Sequence, residues 1–110
     1  MTIPVMVAGA DELARKLGGW PSFHDAEVLD FSLHRGGESI LALQLAGSHR
    51  PVVEFVLDDV NGLELAEFNR QNVIGNLSVE KDEESVLLRL SPCYGMNGWI
   101  KAKAASVRLR

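Results

Sequence analysis

The chain has 110 residues, 46% of them apolar and 24% charged, which is the balance of one folded domain and argues against disorder. Eleven Lys and Arg stand against fifteen Asp and Glu, a net charge of −4. With no basic run, the clustered cations that grip phosphates are missing, so nucleic acid is not an expected partner. The one cysteine, Cys93, excludes an internal disulfide and cannot build a zinc site alone.

The first apolar stretch, 3–10, contains Pro4 and Gly9 and is far shorter than the ~20 residues that span a bilayer. Ala8-Gly9-Ala10 resembles a cleavage site, but the first basic residue, Arg15, follows the apolar run instead of preceding it. Together with a lone thiol this predicts a cytoplasmic protein with no membrane partner. Residues 11–18 predict a helix of about two turns. Asp11 would cap it and Glu12 suits its positive end; Leu13 and Leu17 share a face, and Gly18 and Gly19 stop it.

The period then changes to two. Leu29, Phe31 and Leu33 alternate with Val28, Asp30, Ser32 and His34, predicting a strand with one apolar face. A turn at 35–38 leads to a second strand carrying Leu41, Leu43 and Leu45. After a turn at 47–51, Val53, Phe55 and Leu57 mark a third, with Glu54 on its other face, and 58–62 should break it. Residues 63–68 read as strand followed by turn. The stretch 73–80 reads as a strand bent at Gly75 and Asn76, 81–84 as a charged hairpin loop, and Val86, Leu88 and Leu90 as the next strand. Residues 92–98 read as a loop, and 99–109 as a last strand whose phase slips near Ala104 and Ala105. The spacing leaves no room for crossover helices. The expected fold is therefore mostly β (α+β): a short N-terminal helix, then an antiparallel meander of about six or seven strands in a single domain, 1–110, bent into a sandwich or half-barrel.

The segment Trp20-Pro21-Ser22-Phe23-His24-Asp25-Ala26-Glu27-Val28 joins helix to strand and concentrates aromatic, proline and ionisable residues. Pro21 forces Trp20 to be extended, so Trp20 and Phe23 can plug the gap between helix and sheet. Strand geometry would point Asp25 and Glu27 the same way and His24 oppositely. Three uses compete. His24, Asp25 and Glu27 could ligate a metal, although His34 and His49 stand at no motif spacing to complete a set. A His24–Asp25 pair could do acid–base work, although adjacent residues seldom orient one another as a triad does. The favoured use is structural, with the carboxylates accepting turn amides and His24 satisfied locally, leaving exposed members for a partner.

The run Gly19-Trp20-Pro21-Ser22-Phe23-His24-Asp25-Ala26-Glu27-Val28, followed by Leu65-Ala66-Glu67-Phe68-Asn69-Arg70-Gln71-Asn72-Val73-Ile74, resembles the immunity protein 50 family of bacterial polymorphic toxin systems. The likeness extends over residues 20–109, with the first segment its specific part. It implies a small, mostly β protein that neutralises a cognate toxin by binding it. It brings no catalytic residue. Trp20, Pro21, Phe23, His24, Asp25 and Glu27 mark the family signature, and Phe68, Asn69, Gln71 and Asn72 a weaker second motif.

The amides of that second motif are expected to hold a turn. Cys93 is expected as a small, partly buried thiol in a loop, since the sequence places no histidine base beside it. Trp99 is expected in the core. An acidic domain suits a basic, nuclease-like toxin, whose phosphate-binding site Glu54, Glu64, Glu67, Asp82, Glu83 and Glu84 could occupy in place of phosphates. The expectation is thus a non-enzymatic inhibitor with no cofactor or metal, which open sheet edges could also pair into a homodimer. The alternative is an enzyme or a metal- or ligand-binding domain using His24, Asp25 and Glu27.

Overall fold

A computed structural model describes residues 3–110. Its elements are β1 (Val7–Ala8), α1 (Ala10–Leu17), β2 (Glu27–Ser32), β3 (Glu38–Gln44), β4 (Val52–Ala66), β5 (Val73–Asp82), β6 (Ser85–Tyr94) and β7 (Asn97–Leu109). The fold is mostly β with one short helix, as the alternation predicted, and its sheet is mixed but mostly antiparallel.

The strands do not form one continuous meander. β2–β3–β4 is one antiparallel meander and β5–β6–β7 another; β4 pairs with β7, and Glu27 of β2 meets Val73 of β5. Six strands therefore return on themselves as a ring, while β1 adds in parallel to β7 with Val7 opposite Ala105. Strand length makes this closure feasible. β4 has 15 residues and β7 has 13, so each serves both halves of the molecule. The first half of β4 carries β3 on its other edge, and the first half of β7 carries β6.

Two expected breaks are absorbed into strands. Residues 58–62 do not end β4: Asp59 takes φ 54°, the register shifts between Val60 and Gly62, and pairing resumes to Ala66. A bulge of this kind bends a strand without ending its ladder. Residues 92–98 are likewise no open loop. β6 runs to Tyr94 and β7 starts at Asn97, leaving Gly95 and the buried Met96 as the turn. Pro92 is tolerated opposite Ile74, beside the register shift between Ile74 and Asn76.

The inward faces of β3, β4 and β6 follow the predicted alternation, with Leu41, Leu43, Leu45, Val53, Phe55, Leu57, Val86, Leu88 and Leu90 all buried. β2 departs from it. A bulge between Val28 and Asp30 sends Val28 inward and leaves Leu29 and Leu33 exposed, with Phe31 at the rim of the core. In β7 the buried phase slips as expected, from Ile100 and Ala102 to Ala105 and Val107, although pairing with β4 stays in register there. Gly9, and not Asp11, is the N-cap of α1; Asp11 and Glu12 sit in the first turn, where the positive helix end favours both, and Gly18 ends the helix. Leu13 is buried and Leu17 lies at the edge of the same core.

Candidate functional site

The motif between α1 and β2 is first a packing device. Trp20 and Phe23 meet edge-on at 5.7 Å, and both reach Phe55 of β4, at 6.4 and 5.8 Å. Such tilted and edge contacts suit the ring quadrupoles. Phe23 is buried and Trp20 half-buried, so the aromatics plug the helix–sheet gap as expected.

Beyond Phe23 the backbone lies along the start of β5. Asp25 N–H donates to the Ile74 carbonyl at 2.8 Å, Ile74 N–H to Ala26 at 2.8 Å, and Val28 N–H to Asn72 at 2.9 Å. This segment is the seam that closes the ring. It does not have strand geometry throughout: Asp25 takes φ 68°. The expected opposition of His24 and Asp25 is therefore overturned, because the left-handed residue turns its side chain toward its neighbour. His24 Nε2 lies 3.6 Å from Asp25 Oδ1. His24 Nδ1 lies 3.0 Å from the Gly75 carbonyl, which can only accept, so Nδ1 carries the proton of that bond. The turn amide falls to neither carboxylate; Ser22 Oγ accepts from His24 N–H at 3.3 Å.

Cys93 joins this pair. Its Sγ is 3.9 Å from Asp25 Oδ1, and it is exposed at the end of β6, not partly buried in a loop as expected. Gly75 makes room for it: a Cβ there would stand 3.3 Å from the sulfur. Glu27 does not take part. It lies within β2, with its carboxylate 3.9 Å from Arg50. Among the described residues, His24, Asp25 and Cys93 gather imidazole, carboxylate and thiol donor atoms within 4.8 Å of one another, all exposed. The trio proposed from sequence is thus corrected in one member. The missed residue, Cys93, comes from a different hairpin.

The second motif is structural at its centre. Asn72, 4% exposed, accepts from Asn69 N–H at 3.0 Å and Met96 N–H at 2.8 Å through Oδ1, and donates from Nδ2 to the Asn69 carbonyl at 3.0 Å. It clasps the β4–β5 connection to the β6–β7 turn. Gly95, at φ 89°, fits against it because a Cβ would lie 2.5 Å from Asn72 Oδ1. Asn69 also donates to the Glu67 carbonyl at 3.1 Å, while Gln71 is exposed. Next to the clasped segments in the chain are Phe68, 76% exposed, and Tyr94, 57% exposed and paired with Val73.

Of the acidic residues, Glu54 is not available to a partner. It is 8% exposed and accepts from Arg108 Nε and Arg110 Nε, each at 2.9 Å, while Arg110 also reaches Asp30 at 3.3 Å. The hydrogen bond from Arg108, then that from Arg110, hold its carboxyl below the ordinary value. Glu64, Glu67, Asp82, Glu83 and Glu84 are exposed, with Asp82 3.7 Å from Lys101. Trp99 is not in the core. It lies half-exposed against Gly62, opposite Glu64 on one side and Arg89 on the other. A broad open groove of about 590 Å³ runs between Lys16–Ser22 and Leu45–Pro51, and His24, Asp25 and Cys93 do not line it. No described helix is long and apolar enough to cross a membrane. No family model, curated protein or solved structure matches this chain.

Proposed function

We propose that this chain is an immunity protein of the cytoplasm that neutralises a bacterial toxin domain by binding it. The observation that carries the reading is the exposure of Phe68 and Tyr94, at 76% and 57%, on the two segments that the buried Asn72 clasps together. Phe and Tyr are enriched at protein interfaces, and Tyr is among the residue types that dominate their binding energy. Tyr94 stands on a paired strand and Phe68 precedes Asn69, whose N–H and carbonyl are both bonded to Asn72, so the backbone beside each aromatic is already ordered before a partner docks. The motif segment supports the same reading from the other side. Its aromatics and its backbone are used internally, as a scaffold that presents other surfaces.

The partner we infer is basic and nuclease-like. Glu67 adjoins Phe68, and Glu64 lies nearby on β4, so acidic groups flank an aromatic anchor. Asp82, Glu83 and Glu84, at the β5–β6 turn, add to the attractive field at longer range. In this reading the chain acts by occupying the toxin and performs no catalytic step. Coexpression with the toxin domain encoded beside its gene tests the proposal. Survival is expected with the unaltered chain and killing with a folded Phe68→Ala/Tyr94→Ala double variant. Killing in the presence of the unaltered chain would overturn it.

A further inference from the structure

We propose that His24, Asp25 and Cys93 form a site for one divalent cation of the zinc class, with the fourth position open to solvent. The argument begins with donor type. A thiolate and an imidazole select borderline-soft ions such as Zn2+ over Mg2+ or Ca2+, and a single carboxylate is compatible with that choice.

Spacing supports it. Zinc bonds of the usual lengths at a tetrahedral centre place N and O about 3.4 Å apart and S and O about 3.6 Å apart. The observed separations are 3.6 Å for His24 Nε2 to Asp25 Oδ1 and 3.9 Å for Cys93 Sγ to the same oxygen. The third edge, His24 to Cys93, is within 4.8 Å. Small side-chain rotations close it, and they are cheap because all three groups are exposed.

The surroundings hold the donors in place. Asp25 and Ala26 are hydrogen-bonded to Ile74, and Cys93 lies against Gly75, so both chain segments are registered on β5. His24 Nδ1 donates to the Gly75 carbonyl at 3.0 Å. That bond fixes the tautomer and leaves the Nε2 lone pair on the side of Asp25, which is the outer-shell arrangement that orients metal-binding histidines. On binding, the Cys93 thiol forms the sulfur–metal bond and its proton leaves to solvent; no redox change is involved. Glu27, the ligand the sequence suggested, is directed to Arg50 and is not part of the site.

The test is titration of the purified, reduced chain with Co2+ followed by displacement with Zn2+. The readouts are the thiolate-to-cobalt absorption band and the tetrahedral ligand-field bands. One ion per chain is expected. Cys93→Ser should abolish the thiolate band. His24→Ala and Asp25→Asn should each weaken binding by at least about 10- to 100-fold, the loss typical even of outer-shell partners. Asn is chosen at 25 because it tolerates the left-handed backbone. Glu27→Gln should bind as the unaltered chain does. If a variant fails to fold by circular dichroism, zinc protection of Cys93 in the unaltered chain against a thiol reagent replaces it, with slowed modification expected. The proposal is overturned by absence of a saturable thiolate band, by one ion per two chains, by affinity that ignores His24 and Asp25, or by a modification rate that zinc leaves unchanged.

Discussion

At the scale of single residues, Asn72 and Glu54 show how far side-chain type predicts role. An amide beside a turn signal predicts a residue that bonds backbone, and Asn72 does this with three hydrogen bonds. Asn72→Ala would leave the Asn69 and Met96 amides without their acceptor, at a cost of about 2–4 kcal/mol. Asn72→Asp, which keeps that acceptor, should recover part of it; urea unfolding midpoints check both. Glu54 is covered instead of open to a partner, because alternation gives the face of a strand and not what covers that face. Its cover, Arg108 and Arg110, arrives from the C-terminal end of β7 and the residue after it. The consequence is a pH dependence of known sign. The folded state holds the Glu54 carboxyl below its ordinary value of 4.5, so its contribution is complete above that pH and is lost as pH falls through the lower folded-state value. Glu54→Gln should cost about 1 kcal/mol near neutrality, after discounting for solvent at both guanidinium groups, and should flatten that part of the acid limb. A variant whose acid unfolding curve parallels the unaltered chain would show that the pair contributes nothing.

Among elements, the legible parts were those with local causes. Each hairpin has a period-two pattern and a turn within a few residues, and β3, β5 and β6 follow from that alone. The β5–β6 register counted from the turn at Glu83 and Glu84 already brings Cys93 toward Gly75. What it cannot show is that residues 24–27 lie along the other edge of β5, because that pairing joins segments about fifty positions apart and has no periodic signature. Sequence therefore places Cys93 beside Gly75 but not beside His24. The bend at Gly75 and Asn76 is legible from the glycine, and the register does shift between Ile74 and Asn76, but the bulge at 58–62 has no such sign: Asp58 to Gly62 has the composition of a turn, and only the continuing ladder with β7 keeps it a strand. The seam itself depends on the Trp20–Phe23–Phe55 packing. Phe23→Ala should cost about 3–5 kcal/mol, as for other large-to-small changes in a core. If the seam is the weak closure of the ring, hydrogen exchange should rise first at the Asp25 and Ile74 amides and later along β4 and β7. Uniform loss of protection would argue that the ring opens only as a unit.

For the whole molecule, closure sets groups of different chemistry at the two ends of the β5–β6 hairpin. The seam end, which includes Asn72, carries the imidazole, carboxylate and thiol group and the exposed Tyr94, with Phe68 on the adjoining β4–β5 connection; the β5–β6 turn carries acids. Composition fixed the sign of the net charge, −4, but not that one of the acids, Glu54, is withdrawn from the surface. The proposed toxin complex should therefore separate into two kinetic parts. Exposed charge acts on encounter, since long-range attraction raises the association rate and is screened over about 8–10 Å at physiological salt. Desolvated aromatics act on residence, since most interface substitutions change dissociation. Glu64→Gln with Glu67→Gln should lower the association rate and weaken its salt dependence, with dissociation nearly unchanged. Phe68→Ala should leave association nearly unchanged and speed dissociation by about tenfold or more, the effect of losing an anchor worth at least about 1.4 kcal/mol. Stopped-flow association and dissociation at low and physiological ionic strength separate the two. If Phe68→Ala alters neither rate, the clasped end is not the binding face. If association with the toxin is insensitive to salt, charge does not guide the encounter and the partner is not basic.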